Sequence, residues 1–323
     1  MYSMETGAPL NEARLLQVKA FLSASGLTVE DLPDYTVALR DGGGQIVATG
    51  SLCGDIVKYV AVADAAQGEG ACATVVSELV SYACRNGNTH LFLFTKPEND
   101  RMFSSLGFYE LARTKDALMM ENKKDGLSGF LKSLGHGAME NAGAVVVNCN
   151  PLTNGHLYLL ETAAKNCSEL HVFVVSEDKS EFPAEVRYDL VKRGAAHIEN
   201  LYVHRGGRYV VSSATFPAYF LKDKNRTEDI KADLDLALFG ARIAPALRIK
   251  TRFVGTEPYC TVTNAYNARM KALLPNYGVD VVELERKDGI SASAVRRLMR
   301  EGNFEAIKPL VPEVTYDYIV RHA

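Results

Sequence analysis

No CxxC pair occurs in the 323-residue chain, and its six cysteines (Cys53, Cys72, Cys84, Cys149, Cys167 and Cys260) are scattered. A metal cage built on Cys/His spacing is therefore not expected, and reduced thiols in a cytosol fit better. No apolar run approaches the roughly 18 residues of a membrane span. The opening residues, MYSMETGAPLNEARLL, lack a basic region followed by an apolar one, so no signal peptide is expected either. Repeats and low-complexity tracts are also missing. Charge of one sign is not in excess: 36 Lys and Arg against 39 Asp and Glu leave a net charge of −3. That balance excludes a broad nucleic-acid or anionic-membrane surface. What remains is an ordinary cytoplasmic globular composition, 47% hydrophobic and 23% charged, long enough for about two domains.

The two halves are patterned differently. In the first, YTVALR and QIVATG alternate around DGGG, a hairpin signal. IVKYVAV follows as a strand and runs through AQGEGA into ACATVVSELVSYA, where Val75, Leu79 and Ala83 share a helical face. HLFLFTK is a further strand and ENDRMFSSLGF a short helix. From Glu121 to Gly143 the chain turns polar and glycine-dotted. In the second half the strands AVVVNC, LHVFVVS, LYVH, TRFVG and VDVVEL alternate with helical stretches, the last being SAVRRLMREG. Unbroken apolar strands alternating with helices indicate a parallel sheet covered on both faces. The expected division is a first domain over 1–125, a linker over 126–142 and a second domain over 143–323.

NPLTNGH, starting at Asn150, follows the strand AVVVNC and opens a helix. Ligands of open parallel sheets bind beyond the carboxyl ends of strands, where unpaired helix-opening N–H groups suit a phosphate. Gly155 permits close backbone approach. His156 falls in the first turn, where its ring can donate to phosphoryl oxygens. Thr153 can cap the helix or offer its hydroxyl to the same ligand, and the turn alone fits a plain helix cap equally well. ISASAVRRLM, from Ile290, opens another helix after the last strand; Ser291 and Ser293 are cap candidates there. Arg296, one turn in, offers a planar fork of donors for phosphate or lies free on the surface.

Together, Thr153-Asn154-Gly155-His156 and Ile290-Ser291-Ala292-Ser293-Ala294-Val295-Arg296 resemble the paired signatures of the HxGH-type nucleotidyltransferase superfamily, in its T-x-G-H variant. Ala292 and Ser293 depart from the superfamily's I-S-S-T-x-x-R pattern. The resemblance implies a Rossmann-like second domain binding ATP across the sheet's carboxyl edge. His156 and Arg296, with Thr153 and Arg187 beside them, would serve catalysis. Asn150, Pro151, Gly155, Lys179, Gly255, Glu257, Ser291 and Ser293 would contact the nucleotide. Displacement at the α-phosphate needs alignment and electrostatic stabilisation more than a protein nucleophile. Magnesium is expected to be held through phosphate oxygens; no metal ligand in the chain stands out.

In the first domain, Gln67-Gly68-Glu69-Gly70-Ala71-Cys72 again joins a strand to a helix through a glycine loop. With Leu106-Gly107-Phe108-Tyr109 it resembles the coenzyme-A loop and closing segment of GNAT acetyltransferases, an α+β fold. Gln67, Gly68, Gly70 and Ala71 would then hold a CoA-like group. Phe103 stands where those enzymes commonly place a tyrosine acid. The resemblance therefore implies a domain that holds a CoA-like arm without acylating an amine.

The combination, with THLFLFTKPEN, GGRYVVSSATFPAYFLK and VGTEPYCTVTNAYNARM, is similar to the citrate (pro-3S)-lyase ligase family over nearly the whole chain. That family implies activation of acetate by ATP as an acetyl-adenylate. The acetyl group then passes to the prosthetic thiol of the citrate lyase acyl carrier subunit, a dephospho-CoA-type group, with release of AMP and diphosphate. Ser212, Ser213, Thr215, Phe216 and Tyr219 would line an acetate or partner pocket, or simply form a strand and a packed helix; Tyr259 and Asn264 stand equally open. Two rivals use the same turns: a cofactor-synthesis adenylyltransferase with a phosphopantetheine-type acceptor, and a non-catalytic nucleotide and acyl-CoA sensor.

Overall fold

The glycine-rich hairpin signal in the first half does form a hairpin. The computed structural model describes residues 2–135, 139–176, 180–210, 216–221, 224–257, 261–286 and 290–322. In it, β2 (Tyr35–Arg40) and β3 (Ile46–Cys53) pair antiparallel across the turn. Contacts divide the chain into two units, one of residues Met1–Gly129 with Phe216–Ile230, the other of Phe130–Thr215 with Lys231–Ala323.

The first unit carries β1 (Ser3–Gly7), α1 (Glu12–Ala24), β2, β3, β4 (Ile56–Val62), α2 (Ala71–Arg85), β5 (Phe92–Thr95), α3 (Asp100–Ser105), β6 (Tyr109–Arg113) and β7 (Leu118–Glu121). They form a seven-stranded sheet in the order β1-β2-β3-β4-β5-β7-β6. Its pairs are antiparallel except β4 with β5, which run parallel and meet only at Ile56–Phe92 and Val57–Leu93. Beyond those positions the two strands diverge. The apolar stripe of α2, Val75, Val76, Leu79 and Ala83, packs into the core under the sheet. Gly50 makes this approach possible, since a Cβ there would lie 2.7 Å from Val75 Cγ1. This is an α+β fold built on a mostly antiparallel sheet. Phe216 and Tyr219, expected near an acetate or partner pocket, pack in this unit instead. The Phe216 ring meets Phe94 edge-on at 5.6 Å, and Tyr219 donates to the Phe94 carbonyl at 3.3 Å. Ser212, Ser213, Thr215, Tyr259 and Lys179 lie outside the described residues.

α4 (Gly126–Ser133) occupies part of the stretch expected as linker. The second unit's sheet contains β8 (Ala142–Val147), β9 (Leu170–Val174), β10 (Leu201–Arg205), β11 (Ile249–Gly255) and β12 (Asp280–Leu284). All its pairs are parallel, in the order β10-β9-β8-β11-β12. The connecting helices are α5 (Asn154–Ala164), α6 (Ala184–Gly194), α7 (Thr227–Leu238), α8 (Ala244–Ala246), α9 (Thr261–Leu273) and α10 (Ala292–Arg300). Val145, Val147, Leu160, Val172, Val191, Phe253 and Val295 form the core on one face of this sheet. The winding direction reverses between β8 and β11, which opens a crevice at their carboxyl ends. α11 (Phe304–Ile307) and α12 (Glu313–Arg321) follow α10. Both went unread in the sequence, yet Ile307, Val311 and Ile319 complete the core.

Candidate active site

The turn after β8 opens α5 beside this crevice, and its local hydrogen bonds set the state of the histidine. Thr153 is the cap: its Oγ1 accepts from the His156 N–H at 3.3 Å. In return the Thr153 N–H donates to His156 Nδ1 at 3.1 Å, with Thr153 Oγ1 2.9 Å from the same nitrogen. This is a reciprocal capping box with histidine in the place usually held by Glu or Gln. A ring nitrogen that accepts from a backbone N–H carries no proton, so the neutral ring keeps its hydrogen on Nε2. A helix cap at Thr153 therefore does not exclude a ligand at this turn, since the second ring nitrogen keeps its hydrogen. Burial, and then the nearby Arg286 guanidinium, push the His156 pKa down to about 4. The ring is therefore neutral at pH 7, with its hydrogen on Nε2.

The second motif is brought directly against the first. A Cβ on Gly155 would lie 3.4 Å from the Ile290 carbonyl oxygen and 3.6 Å from Ile290 Cβ. Ser291 caps α10, accepting from the Ala294 N–H at 3.1 Å. Arg296 reaches back to the turn and donates from Nη1 to the Asn150 carbonyl at 2.5 Å. Its other contacts are Ser293 Oγ at 3.3 Å and the Glu181 carboxylate at 3.3 Å. Asn150 Oδ1 accepts from the Phe182 N–H at 3.0 Å, joining the same corner to the loop before α6. Pro151 and Leu152, the two residues between this anchor and the cap, are buried.

Arg187, expected beside the catalytic residues, is placed at the carboxyl ends of β8 and β9. It is fully buried and donates to the carbonyls of Phe182 (3.0 Å), Asn148 (3.0 Å) and Val175 (2.7 Å), and to Asn148 Oδ1 (2.7 Å). These acceptors lie just past the carboxyl ends of β8 and β9 and in the following loop, so Arg187 holds the loops that shape the site. Gly255, at the end of β11, gives its carbonyl to Asn267 Nδ2 at 3.1 Å. Glu257 forms an ion pair with Arg286, and the Arg286 N–H donates to Thr256 Oγ1 at 3.2 Å. Within this unit the structure thus brings together Asn150, Thr153, Gly155, His156, Ser291, Ser293 and Arg296, and ties Gly255 and Glu257 to the neighbouring strand ends.

In the first unit the carboxyl end of β4 borders a cavity of about 500 Å³ lined by Gln67, Gly68, Gly70, Ala71 and Cys72 together with Val60 and Met102. That volume suits a small-molecule site. Gly68 and Gly70 have φ of 80° and 79°, and Gly70 is the residue before α2. Their left-handed backbone turns the loop so that the first N–H groups of α2 face outward. Gln67 Nε2 is held by Asp64 at 2.9 Å, and Ala71 is buried. Burial pushes the Cys72 thiol up to about 11, so it stays protonated. Phe103 is 4% exposed and packs edge-on against Phe108 at 6.2 Å. It has no proton to give, and its ring belongs to the core.

Residues 142–319 match the family model of the citrate lyase ligase C-terminal domain. The chain is 39% identical over 320 residues to the citrate (pro-3S)-lyase ligase of Escherichia coli (strain K12), covering 95% of this chain and 90% of that one. It belongs to the citrate lyase ligase family. The Klebsiella pneumoniae enzyme of the same name is 42% identical over 290 residues, covering 86% of this chain and 85% of that one. Among solved structures, that of Escherichia coli ElaA matches 38% of this chain and all 100% of its own, at 12% identity and a TM-score of 0.33.

Two features of this corner were not visible in the sequence. Arg286 lies between two motifs, in a loop whose charge pattern reads as surface; only its nearness to His156 and Glu257 gives it a role. Asn154, inside the turn motif, donates from Nδ2 to the Pro309 carbonyl at 3.0 Å, and its N–H to Leu310 O at 2.9 Å. The segment before α12 thereby backs the turn from 155 residues away. Among the described residues no group of three or more His, Cys, Asp or Glu could hold a metal ion, and no helix is long and apolar enough to cross a membrane.

Proposed function

We propose that the second unit adenylates a short carboxylic acid, acetate, and that the first unit holds the CoA-like arm whose thiol receives the acyl group. The observation that carries this reading is the Thr153–His156 turn at the reversal point of a parallel sheet. There a neutral Nε2–H, the Gly155 N–H in the first turn of α5 and the guanidinium groups of Arg286 and Arg296 sit in one corner. ATP would bind with its phosphates in this corner. A carboxylate oxygen attacks the α-phosphorus while the bond to the bridging oxygen breaks and diphosphate leaves. The His156 Nε2–H and the two arginines stabilise the added negative charge, and Arg187 keeps the loops in place. A thiolate then attacks the acyl carbon, AMP departs, and a thioester remains. Magnesium would arrive with the triphosphate and keep water and phosphate oxygens as ligands.

For the arm, the support is the glycine loop of the first unit and its cavity, together with Phe103, which cannot serve as an acid. The relatives' name supports citrate lyase as the partner; on this reading its acyl carrier subunit bears the thiol, on a dephospho-CoA-type group. A bacterial cytoplasm is the matching compartment. Acetate-dependent exchange of labelled diphosphate into ATP tests the reading. Exchange that requires phosphopantetheine instead would favour a cofactor-synthesis adenylyltransferase, and absence of AMP release with acetate and deacetylated carrier would favour a sensor.

A further inference from the structure

Arg252, in the middle of β11, is 3% exposed. Among the described residues its guanidinium makes no hydrogen bond or ion pair, and its Nε is fully buried without a partner. An uncompensated buried cation is costly, and such donors in native proteins are almost always engaged. Local structure only partly answers the cost. The Phe239 ring lies 4.4 Å from Cζ and covers one face of the fork, a contact that satisfies none of its N–H groups. The nearby carboxylate of Asp235 is 7% exposed and accepts from the Tyr266 hydroxyl instead. It acts on Arg252 through charge, without an ion-pair contact.

The position of this arginine bears on the ligand. β11 borders the reversal point of the sheet. Arg252 precedes Gly255, the end of that strand, by roughly 10 Å at about 3.3 Å per residue. Asn267, the residue after Tyr266 in α9, donates to the Gly255 carbonyl at 3.1 Å, so the helix beside Arg252 is tied to the ligand-facing strand end. The phosphates have their own donors at the Thr153–His156 turn. An edge-on planar fork below that level matches a small planar anion, and a carboxylate accepts from it through both oxygens.

We propose that Arg252 anchors the carboxylate of the short acid substrate, forming an acid subsite beside the end of β11. The inference rests on the adenylating reading above and names the subsite that reading leaves unassigned. Arg252→Met and Arg252→Lys test it in the full-length protein, with acetate-dependent diphosphate exchange and thermal unfolding with and without acetate as readouts. Arg252→Met is expected to raise the KM for acetate by about 10- to 100-fold, as loss of a charge-assisted pair does, with the KM for ATP unchanged within about twofold. Arg252→Lys, which keeps the charge but not the fork, should fall between. Acetate without ATP should raise the melting temperature of the natural protein and leave that of Arg252→Met unmoved. An unchanged acetate KM in either folded variant would overturn the proposal, as would stabilisation by inorganic phosphate but not acetate. If the natural protein shows no exchange but acetate still stabilises it through Arg252, the adenylating reading fails and the carboxylate subsite stands.

Discussion

His156→Ala separates the two tasks assigned to the turn. The substitution removes the acceptor of the Thr153 N–H and the donor at Nε2 in one step. Loss of the reciprocal cap should cost about 0.5–2 kcal/mol of stability. Loss of a preorganised donor at the developing charge should cost about 2–4 kcal/mol of barrier, roughly 30- to 1,000-fold in turnover. The acid side of the stability profile gives an independent check. The His156 pKa is about 4 in the fold against about 6.5 unfolded. Between those values the unfolded chain binds more protons, so stability falls as pH drops from about 6.5 to about 4 and levels below. The effect is at most about 3 kcal/mol, and residual solvent contact makes it smaller. His156→Ala should flatten that part of the profile. Denaturant titrations at several pH values, with diphosphate exchange on the same samples, measure both quantities. A folded variant with unchanged exchange, or an unchanged slope between pH 4 and 6.5, would refute the reasoning.

Arg187→Met leaves the carbonyls of Asn148, Val175 and Phe182 without their donor and should lower stability by about 3 kcal/mol or more in chemical denaturation; a loss below about 0.5 kcal/mol would remove its holding role. Arg286→Ala should let the His156 pKa rise, read by NMR titration of the ring, and should raise the KM for ATP by about tenfold; an unmoved ring would place the cation too far away to matter. Gly70→Asp puts a carboxylate where an anion is to bind, in a left-handed conformation that aspartate tolerates. Adenylate formation should hold within about twofold while thioester formation falls at least about tenfold, and an equal fall in both would break the division of labour between the units.

Much of this site could be read in one dimension because its parts are short and local. A cap and its partner lie three residues apart in sequence, so Thr153 and His156 are legible together. The pairing of the Asn150 turn with Arg296 was legible as two signatures, and the fold closes them at the Asn150 carbonyl. What failed to show depends on partners brought from elsewhere. Arg187 looks like a ligand residue until the carbonyls past β8 and β9 surround it. Arg252, inside the strand TRFVG, gives no periodic signal, and its isolation is visible only once its neighbours are placed. The destination of Phe216 and Tyr219 was hidden for the same reason: an aromatic segment records that it will pack, not against which sheet.

The central claim is that one corner of a parallel sheet activates an acid for capture by a sulfur atom. The most direct measurement is the intact mass of purified citrate lyase acyl carrier subunit after incubation with this protein, ATP and acetate. The account predicts that the prosthetic thiol gains one acetyl group, with AMP and diphosphate released in equal amounts. A carrier that keeps its mass, or one that gains a nucleotidyl group instead, would contradict it.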